Sequence, residues 1–342
     1  MFFKPAIDMF KDADYELLCT SRQYREVVEL SKIKQLHIKI VGRHGGAGKY
    51  EKLYESANRI SQLAHVIKQF EPDIAISFSS PEAARVAFGL GVRHIVFNDS
   101  PHAEAVARLT IPLVDHLFSP WVIPYSAWRI FGIPRSRITT YRALDPVAWI
   151  KRNSLSSSTS NLVKKIGLEL SKKNILIRLE ETKASYIADK KVENSISMVD
   201  AIVNNFSMRS NIIILCRYED QISELTKRYE GKAYILQNVL DGTLLISLSD
   251  LFIGAGGTMT AEASLLGKPT ISIAPVRFYI EKYLIKSGLV KRALSSRHLV
   301  QLSNMMLLDR CYTDVQGNKA KHILDSMDDP IEKLFTFITN PT

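Results

Sequence analysis

The sequence lacks any uninterrupted apolar run near the roughly 18 residues that a membrane-crossing helix needs, so no helical span is expected. It is poor in cysteine: Cys19, Cys216 and Cys311 are scattered, odd in number and without CxxC spacing. That pattern reads as reduced thiols and excludes a disulfide frame or a zinc site. Eight histidines include no HExxH or other ligand spacing, so no catalytic metal is expected. The opening residues, Met1-Phe2-Phe3-Lys4-Pro5, lack the basic head, apolar run and small-residue cleavage site of a signal peptide, and a cytoplasmic protein is expected. No aromatic-plus-basic signature of the RNP kind is present, so no nucleic-acid partner is expected.

What is there is an ordinary globular mix, 46% hydrophobic and 23% charged, long enough at 342 residues for two domains. Lys and Arg number 45 against 35 Asp and Glu, a formal net charge of +10. Because the basic residues are dispersed, a general solubility charge is the first reading. Phosphorylated substrates and a peripheral contact with an anionic membrane surface are its other consequences.

Apolar runs of strand length alternate with helical patterns. Residues 15–19, 35–41, 74–78 and 94–98 read as strands, and 53–70 and 81–89 as helices. Leu53, Ala57, Ile60, Leu63, Ala64 and Ile67 share one face of the first helix, and Ser79 or Ser80 caps the second. Residues 151–161 hold five serines and one threonine, as a linker would. The alternation then restarts, with strands at 175–179, 211–216, 234–236, 250–253 and 269–273, and helices at 192–206, 221–229, 244–248 and 258–267. The reading is two Rossmann-like parallel α/β domains, residues 1–150 and 162–342, joined at 151–161 and facing a ligand cleft.

The most informative stretch is 249–273, SDLFIGAGGTMTAEASLLGKPTISI. A strand ends in Gly254-Ala255-Gly256-Gly257, and a helix begins at Thr258 and closes at Gly267. Glycines let the backbone approach a phosphate, and the free N–H groups and positive dipole end of the helix hold the anion. Glu262, one turn in, is placed to accept hydrogen bonds from two ribose hydroxyls. A plain strand–helix turn would need no acid in that register, so nucleoside diphosphate binding is the preferred reading.

This segment resembles the nucleotide-binding motif of GT-B-type enzymes, both the UDP-N-acetylglucosamine 2-epimerases and the bacterial glycosyltransferase that makes lipid II. The resemblance implies Gly256, Gly257 and Thr258 for phosphate, Glu262 for ribose, and the loop 237–241 over the base. Residues 72–124, PDIAISFSSPEAARVAFGLGVRHIVFNDSPHAEAVARLTIPLVDHLFSPWVIP, resemble a mostly archaeal family of unknown function with the GT-B fold (DUF354), and the similarity spans both domains. Members of that family resemble one another in a first strand before the FF-x-P element. This chain begins at that element, so either the true start lies upstream or the N-terminal domain lacks its first strand, which would expose a sheet edge.

In the first domain, Asp99, His102, Glu104 and Arg108 follow the strand at 94–98. A glycosyltransferase of this fold needs a base for the acceptor and a cation near the leaving phosphate. Asp99 or His102 is the candidate base and Arg108 the candidate cation, while Glu104 and Arg108 also suit an i,i+4 surface pair. The loop 43–49, RHGGAGK, fails a Walker A match at Arg43 and Tyr50. It is read as shaping the acceptor site through His44, Gly45 and Gly46. Ser79 and Ser80 are read as a helix cap or a hydroxyl-lined ligand wall. Arg178 is a diphosphate-facing cation or a salt-bridge partner of Glu180 or Glu181, and Arg142 is open to the same two readings. The expected activity is metal-independent glycosyl transfer from a UDP-sugar, with the nucleotide-sugar as substrate, no cofactor, and a lipid-linked or glycan acceptor. A UDP-sugar 2-epimerase or hydrolase is one alternative. Against it, Ser79-Ser80 stand where epimerases carry an acid, and their His-Arg signature is not reproduced at 178–181. A non-catalytic nucleotide-sugar-binding subunit is the other.

Overall fold

The computed structural model describes residues 1–46, 48–152, 159–179, 195–216 and 219–340. Within them the chain forms two compact units. The first contains Met1–Ala148 and the returning segment Asp328–Thr342; the second contains the described residues of Trp149–Thr182 and Lys190–Met327. Residues 153–158 of the serine-rich stretch and residues 192–194 of the expected helix lie outside the described residues.

All strands of the first unit are parallel. They are β1 (Thr20–Gln23), β2 (Lys39–Arg43), β3 (Ile74–Ser77), β4 (Arg93–Phe97), β5 (His116–Pro120) and β6 (Ile138–Tyr141). β1 pairs only with β2, and β3-β4-β5-β6 form a second sheet in sequence order. The described chain opens with the helix Lys4–Asp12 and no strand before it, and among the described residues none bridges the two sheets. Ile95, Val96, Phe97, Leu117 and Phe118 on the central strands are wholly buried, as strands covered on both faces must be. The expected strand at 15–19 is displaced to β1, because Tyr15 turns back so that its N–H donates to the Phe10 carbonyl. The final helix, Pro330–Thr339, packs in this unit: Phe335 meets Phe10, and Phe337 meets His116 and Phe118. The expectation of one continuous domain over 162–342 therefore fails at its end.

The helix Lys49–Phe70 packs the expected face inward in its second half, where Leu63 is buried and Ile60, Ala64 and Ile67 lie against it, but not in its first half. Leu53 is 71% exposed and Ala57 is exposed, whereas Glu55, Arg59 and Leu63 are buried. Arg59 wins that position by its partners. Its guanidinium donates to the Val41 carbonyl, to Ser80 Oγ and to the Glu82 carboxylate, the last at 3.0 Å.

The second unit is one six-stranded parallel sheet in the order β12-β11-β10-β7-β8-β9. Its strands are β7 (Lys173–Arg178), β8 (Ser210–Leu215), β9 (Tyr234–Leu236), β10 (Leu251–Gly254), β11 (Thr270–Ser272) and β12 (Lys291–Arg292). From β7 the chain winds outward through β8 and β9, then returns to build β10, β11 and β12 on the other side. β7 and β10 therefore flank the topological switch point, outside whose carboxyl ends ligands bind in open α/β sheets. Ile175, Ile177, Ile212 and Ile214 face one helical layer, and Leu176, Ile213 and Phe252 the other. No helix among the described residues is long and apolar enough to cross a membrane.

Candidate functional site

The register of β7 and β10 places Arg178 beside Gly254, and the Ala255 N–H donates to the Arg178 carbonyl. The chain then leaves the sheet through Gly256 and Gly257, with φ of 90° and 79°. Both values favour glycine. Gly257 precedes the helix Thr258–Leu265, and no side chain caps that end. A methyl group added at Gly256 would lie 3.3 Å from Ala274 Cβ and 3.9 Å from Glu281 Oε2; one at Gly257 would meet nothing within 4 Å. Gly257 and Thr258 are exposed, so an anion can reach the N–H groups of the first helical turn. Arg178, half-buried, donates from Nη1 to the Cys216 carbonyl at 3.2 Å, which fixes the cation at the same strand ends. Its alternative partners Glu180 and Glu181 lie outside the described residues.

One turn along the helix, Glu262 is only 4% exposed. Trp149 Nε1 donates to its Oε1 at 2.8 Å, and Thr243 Oγ1 donates to the same oxygen. Both bonds address Oε1. Burial raises the carboxyl above its ordinary value, and the bonds from Thr243 and Trp149 oppose that. Thr243 is itself placed by Asp241, which caps the helix Gly242–Leu248 and accepts from the Thr243 N–H at 3.0 Å. Lys268 donates to the Ser247 carbonyl at 2.6 Å and ties the end of the motif to that helix. Neither Trp149 nor Thr243 was found by sequence reading. No spacing rule links residues 149 and 262, which stand 113 apart in the chain. Glu281, also missed, is 7% exposed beside the glycine turn and accepts from Ser272 Oγ. Burial raises its carboxyl, with Ser272, Arg292 and Arg277 opposing.

In the first unit, Asp99 and His102 lie half-buried in the loop after β4. Ser100 Oγ donates to Asp99 Oδ1 at 2.6 Å, and the Ser100 N–H donates to Asn98 Oδ1 at 2.7 Å. Glu104 and Arg108 pair with each other at 2.6 Å with side chains 62% and 65% exposed. That is the i,i+4 surface geometry. Ser80 caps the helix Pro81–Leu90, accepting from the Ala83 N–H and donating to Glu82. Ser79, at φ 48°, donates to the Phe97 carbonyl at 3.1 Å. Both hydroxyls are therefore engaged within the protein. His44 Nδ1 accepts from the Gly46 N–H at 2.9 Å, and its ring lies 5.0 Å from that of Tyr24. Gly45 packs against the backbone of Glu51, where a side chain would clash at 2.5 Å, and Gly46 turns at φ 70°. The Arg142 N–H donates to Asp328 Oδ2, so its backbone anchors the returning segment.

Two parallel α/β units, the second with a glycine turn and a buried glutamate at its switch point, define a GT-B-type protein. The chain belongs to the family described as "Protein of unknown function (DUF354)", matched over residues 1–341. It is 28% identical to the uncharacterized protein MJ0665 of Methanocaldococcus jannaschii, over 99% of this chain and 94% of that one. Among solved structures it is similar to the UDP-GlcNAc 2-epimerase of the same organism in complex with UDP-GlcNAc and UDP, with TM-score 0.69, 14% identity, and 98% and 95% of the two chains covered. It is also similar to the spinosyn forosaminyltransferase SpnP, with TM-score 0.62, 12% identity, and 99% and 95% covered. At these identities the likeness is one of fold.

Proposed function

We propose that this protein binds a UDP-sugar and transfers its glycosyl group without a metal ion. The observation that carries the reading is the set at the switch point of the second unit: an open glycine turn, a bare helix N-terminus, Arg178 beside it, and Glu262 held by Trp149 and Thr243. The turn suits the diphosphate, and the carboxylate suits ribose hydroxyls. Relatives of the same fold solved with UDP-GlcNAc and UDP support that ligand class. Asp99 is the proposed base for the acceptor hydroxyl.

An acceptor that is lipid-linked or a glycan has an observation of its own in favour. Tyr50, Leu53 and Tyr54 stand 72%, 71% and 52% exposed on one face of the helix Lys49–Phe70, next to the loop that carries His44, Gly45 and Gly46. Lys49 and Arg43 are exposed beside them, a setting that also suits contact with an anionic membrane surface. Epimerisation or hydrolysis is the second reading, favoured by the 2-epimerases of the same fold. Against it, the hydroxyls of Ser79 and Ser80 are spent on the Phe97 carbonyl and Glu82. A binding protein without turnover is the third outcome of the same experiment.

That experiment is a thermal-shift titration with UDP, UDP-GlcNAc, GDP-mannose, ATP and NAD, followed by assay of UDP release with and without glycan and polyprenyl-phosphate acceptors. A ligand at about 100 times its Kd raises stability by roughly 2.7 kcal/mol. Uridine-selective stabilisation with acceptor-dependent UDP release supports transfer. Release without acceptor supports the second reading, binding alone supports the third, and no shift with any ligand in a cooperatively melting protein overturns all three.

A further inference from the structure

The parallel strands of the first unit bring three basic side chains together at their amino ends, opposite the carboxyl-end loops that carry Ser79 and Asp99. Arg93 opens β4, His116 opens β5, and Arg137 immediately precedes β6. Ile95 pairs with His116 and Leu117 with Ile138, so the ladder sets the three residues on adjacent strands. The returning helix Pro330–Thr339 ties two of them to one ring. Arg93 Cζ stands 5.3 Å from the centre of Phe337, and the His116 ring centre 4.4 Å from it. His116 Nε2 is hydrogen-bonded at 2.8 Å to the hydroxyl of Thr139, two residues beyond Arg137. Arg93 and Arg137 are exposed and His116 is half-buried, so the cluster opens to solvent.

No acid balances this charge. Asp115, next to His116 in the chain, accepts from the His94 N–H at 2.7 Å, and Asp328 pairs with Lys333 at 2.7 Å. Among the described residues neither Arg93 nor Arg137 forms an ion pair. Burial first, then Arg93 and Arg137, lower the His116 pKa to about 4, so the ring is neutral near pH 7. Packing alone does not require its nitrogens. An apolar ring would fill the same place against Phe118 and Phe337 with no polar group to desolvate. An anion bound among the three relieves the repulsion.

We propose that Arg93, His116 and Arg137 form a binding site for a phosphoryl oxyanion, either inorganic phosphate or a phosphate monoester. Guanidinium forks match phosphate oxygens bidentately, and a dianion beside the imidazole favours its protonated form. The bond to Thr139 survives that protonation, because a threonine hydroxyl accepts as well as donates. The charged groups facing His116 are Arg93 from β4 and Arg137 ahead of β6. The final helix faces it with Phe337, and Lys333 of that helix is held by Asp328. The site lies within the first unit and does not depend on the UDP-sugar reading.

The test is a proton NMR titration of the His116 ring in the full chain with inorganic phosphate and with sulfate, which stays dianionic across the pH range. Both anions should shift the resonance saturably and raise the His116 midpoint from about 4 by about one pH unit or more. Affinity should then increase as pH falls toward the raised midpoint, because proton and anion binding are reciprocal. Arg93→Gln and Arg137→Gln should each weaken binding about tenfold or more. Lys227→Gln removes the same charge from an exposed site in the second unit and should leave binding unchanged. No response of His116 to either anion, or an equal loss in all three variants, overturns the site. Sedimentation with phosphatidylcholine vesicles, with and without phosphatidic acid, separates the sources of the phosphate. Retention that needs both phosphatidic acid and the two arginines assigns a lipid headgroup, and an NMR response without retention assigns a free phosphoryl ligand.

Discussion

Trp149 donates its indole N–H to Glu262 across 113 residues of chain, and the bond is 2.8 Å long. With Thr243 on the same oxygen, it turns an acid buried in a helix into a fixed acceptor pointing along one direction. Replacing Glu262 by alanine leaves both donors without their acceptor. We expect a loss of roughly 1–3 kcal/mol in stability and loss of the UDP-induced thermal shift. Glu262→Gln, which keeps one acceptor oxygen, should melt nearer wild type but bind UDP weakly. Wild-type UDP binding by Glu262→Ala, measured by calorimetry, would remove the ribose assignment.

Gly257 combines φ 79° with ψ −168°, a region that side chains avoid. Gly257→Ala should cost about 1–3 kcal/mol in backbone strain, although nothing lies within 4 Å of the added methyl. Gly256→Ala adds contact with Ala274 and brings the methyl toward Glu281. In both variants UDP affinity should fall beyond the stability loss, because the turn can no longer present its N–H groups. Denaturant unfolding beside isothermal titration separates the two effects.

Arg59 and Glu82 form an ion pair with side chains 9% and 10% exposed. Burial lowers the Arg59 pKa against the pull of Glu82. Removing one partner strands a buried charge, so Arg59→Ala or Glu82→Ala should cost about 3–5 kcal/mol. The double variant should cost less than the sum of the two, and a double-mutant cycle by urea unfolding measures that coupling.

His94 is wholly buried between Ser77 and Asp115, and burial lowers its pKa to about 4. The unfolded chain takes this proton near 6.5, its ordinary value. Between those pH values the unfolded state binds more protons, so stability falls as pH drops from 6.5 toward 4. The loss from His94 is roughly 3 kcal/mol. His116, also lowered to about 4, acts in the same direction with less force because it is half exposed. His94→Gln should flatten the dependence of melting temperature on pH across that window.

Tyr50, Leu53 and Tyr54 hold exposed apolar surface that contributes little to folding. Changing all three to serine should leave stability within about 0.5 kcal/mol per site and leave UDP binding intact. Transfer to a polyprenyl-linked acceptor, or sedimentation with anionic vesicles, should drop several-fold. Unchanged behaviour in both assays would move the acceptor site elsewhere.

Much of this was legible in the chain. Strands 74–78, 211–216 and 234–236 and the helix around 258–267 were readable because parallel strands packed between helices are short continuous apolar runs, bounded by turn residues. The glycine turn and Glu262 fell in one register within 25 residues, so local spacing could reveal them. The helix at 49–70 was found with Ile60, Leu63, Ala64 and Ile67 on its inner face, but Leu53 and Ala57 stay exposed and Arg59 is buried. Spacing counts apolar residues and cannot see that Arg59 has Glu82, Ser80 and Val41 to meet it.

The sequence by itself determined the alternation of elements, the phosphate turn and the ribose acid, all of which are local consequences of periodicity and glycine conformational freedom. Only the tertiary structure decided that Trp149 and Thr243 orient Glu262, that Arg59 is buried against Glu82, Ser80 and Val41, and that Pro330–Thr339 belongs with the first unit. Those pairings join residues far apart in the chain or in different loops, and the hydrogen bonds that hold them form only where packing has already excluded water.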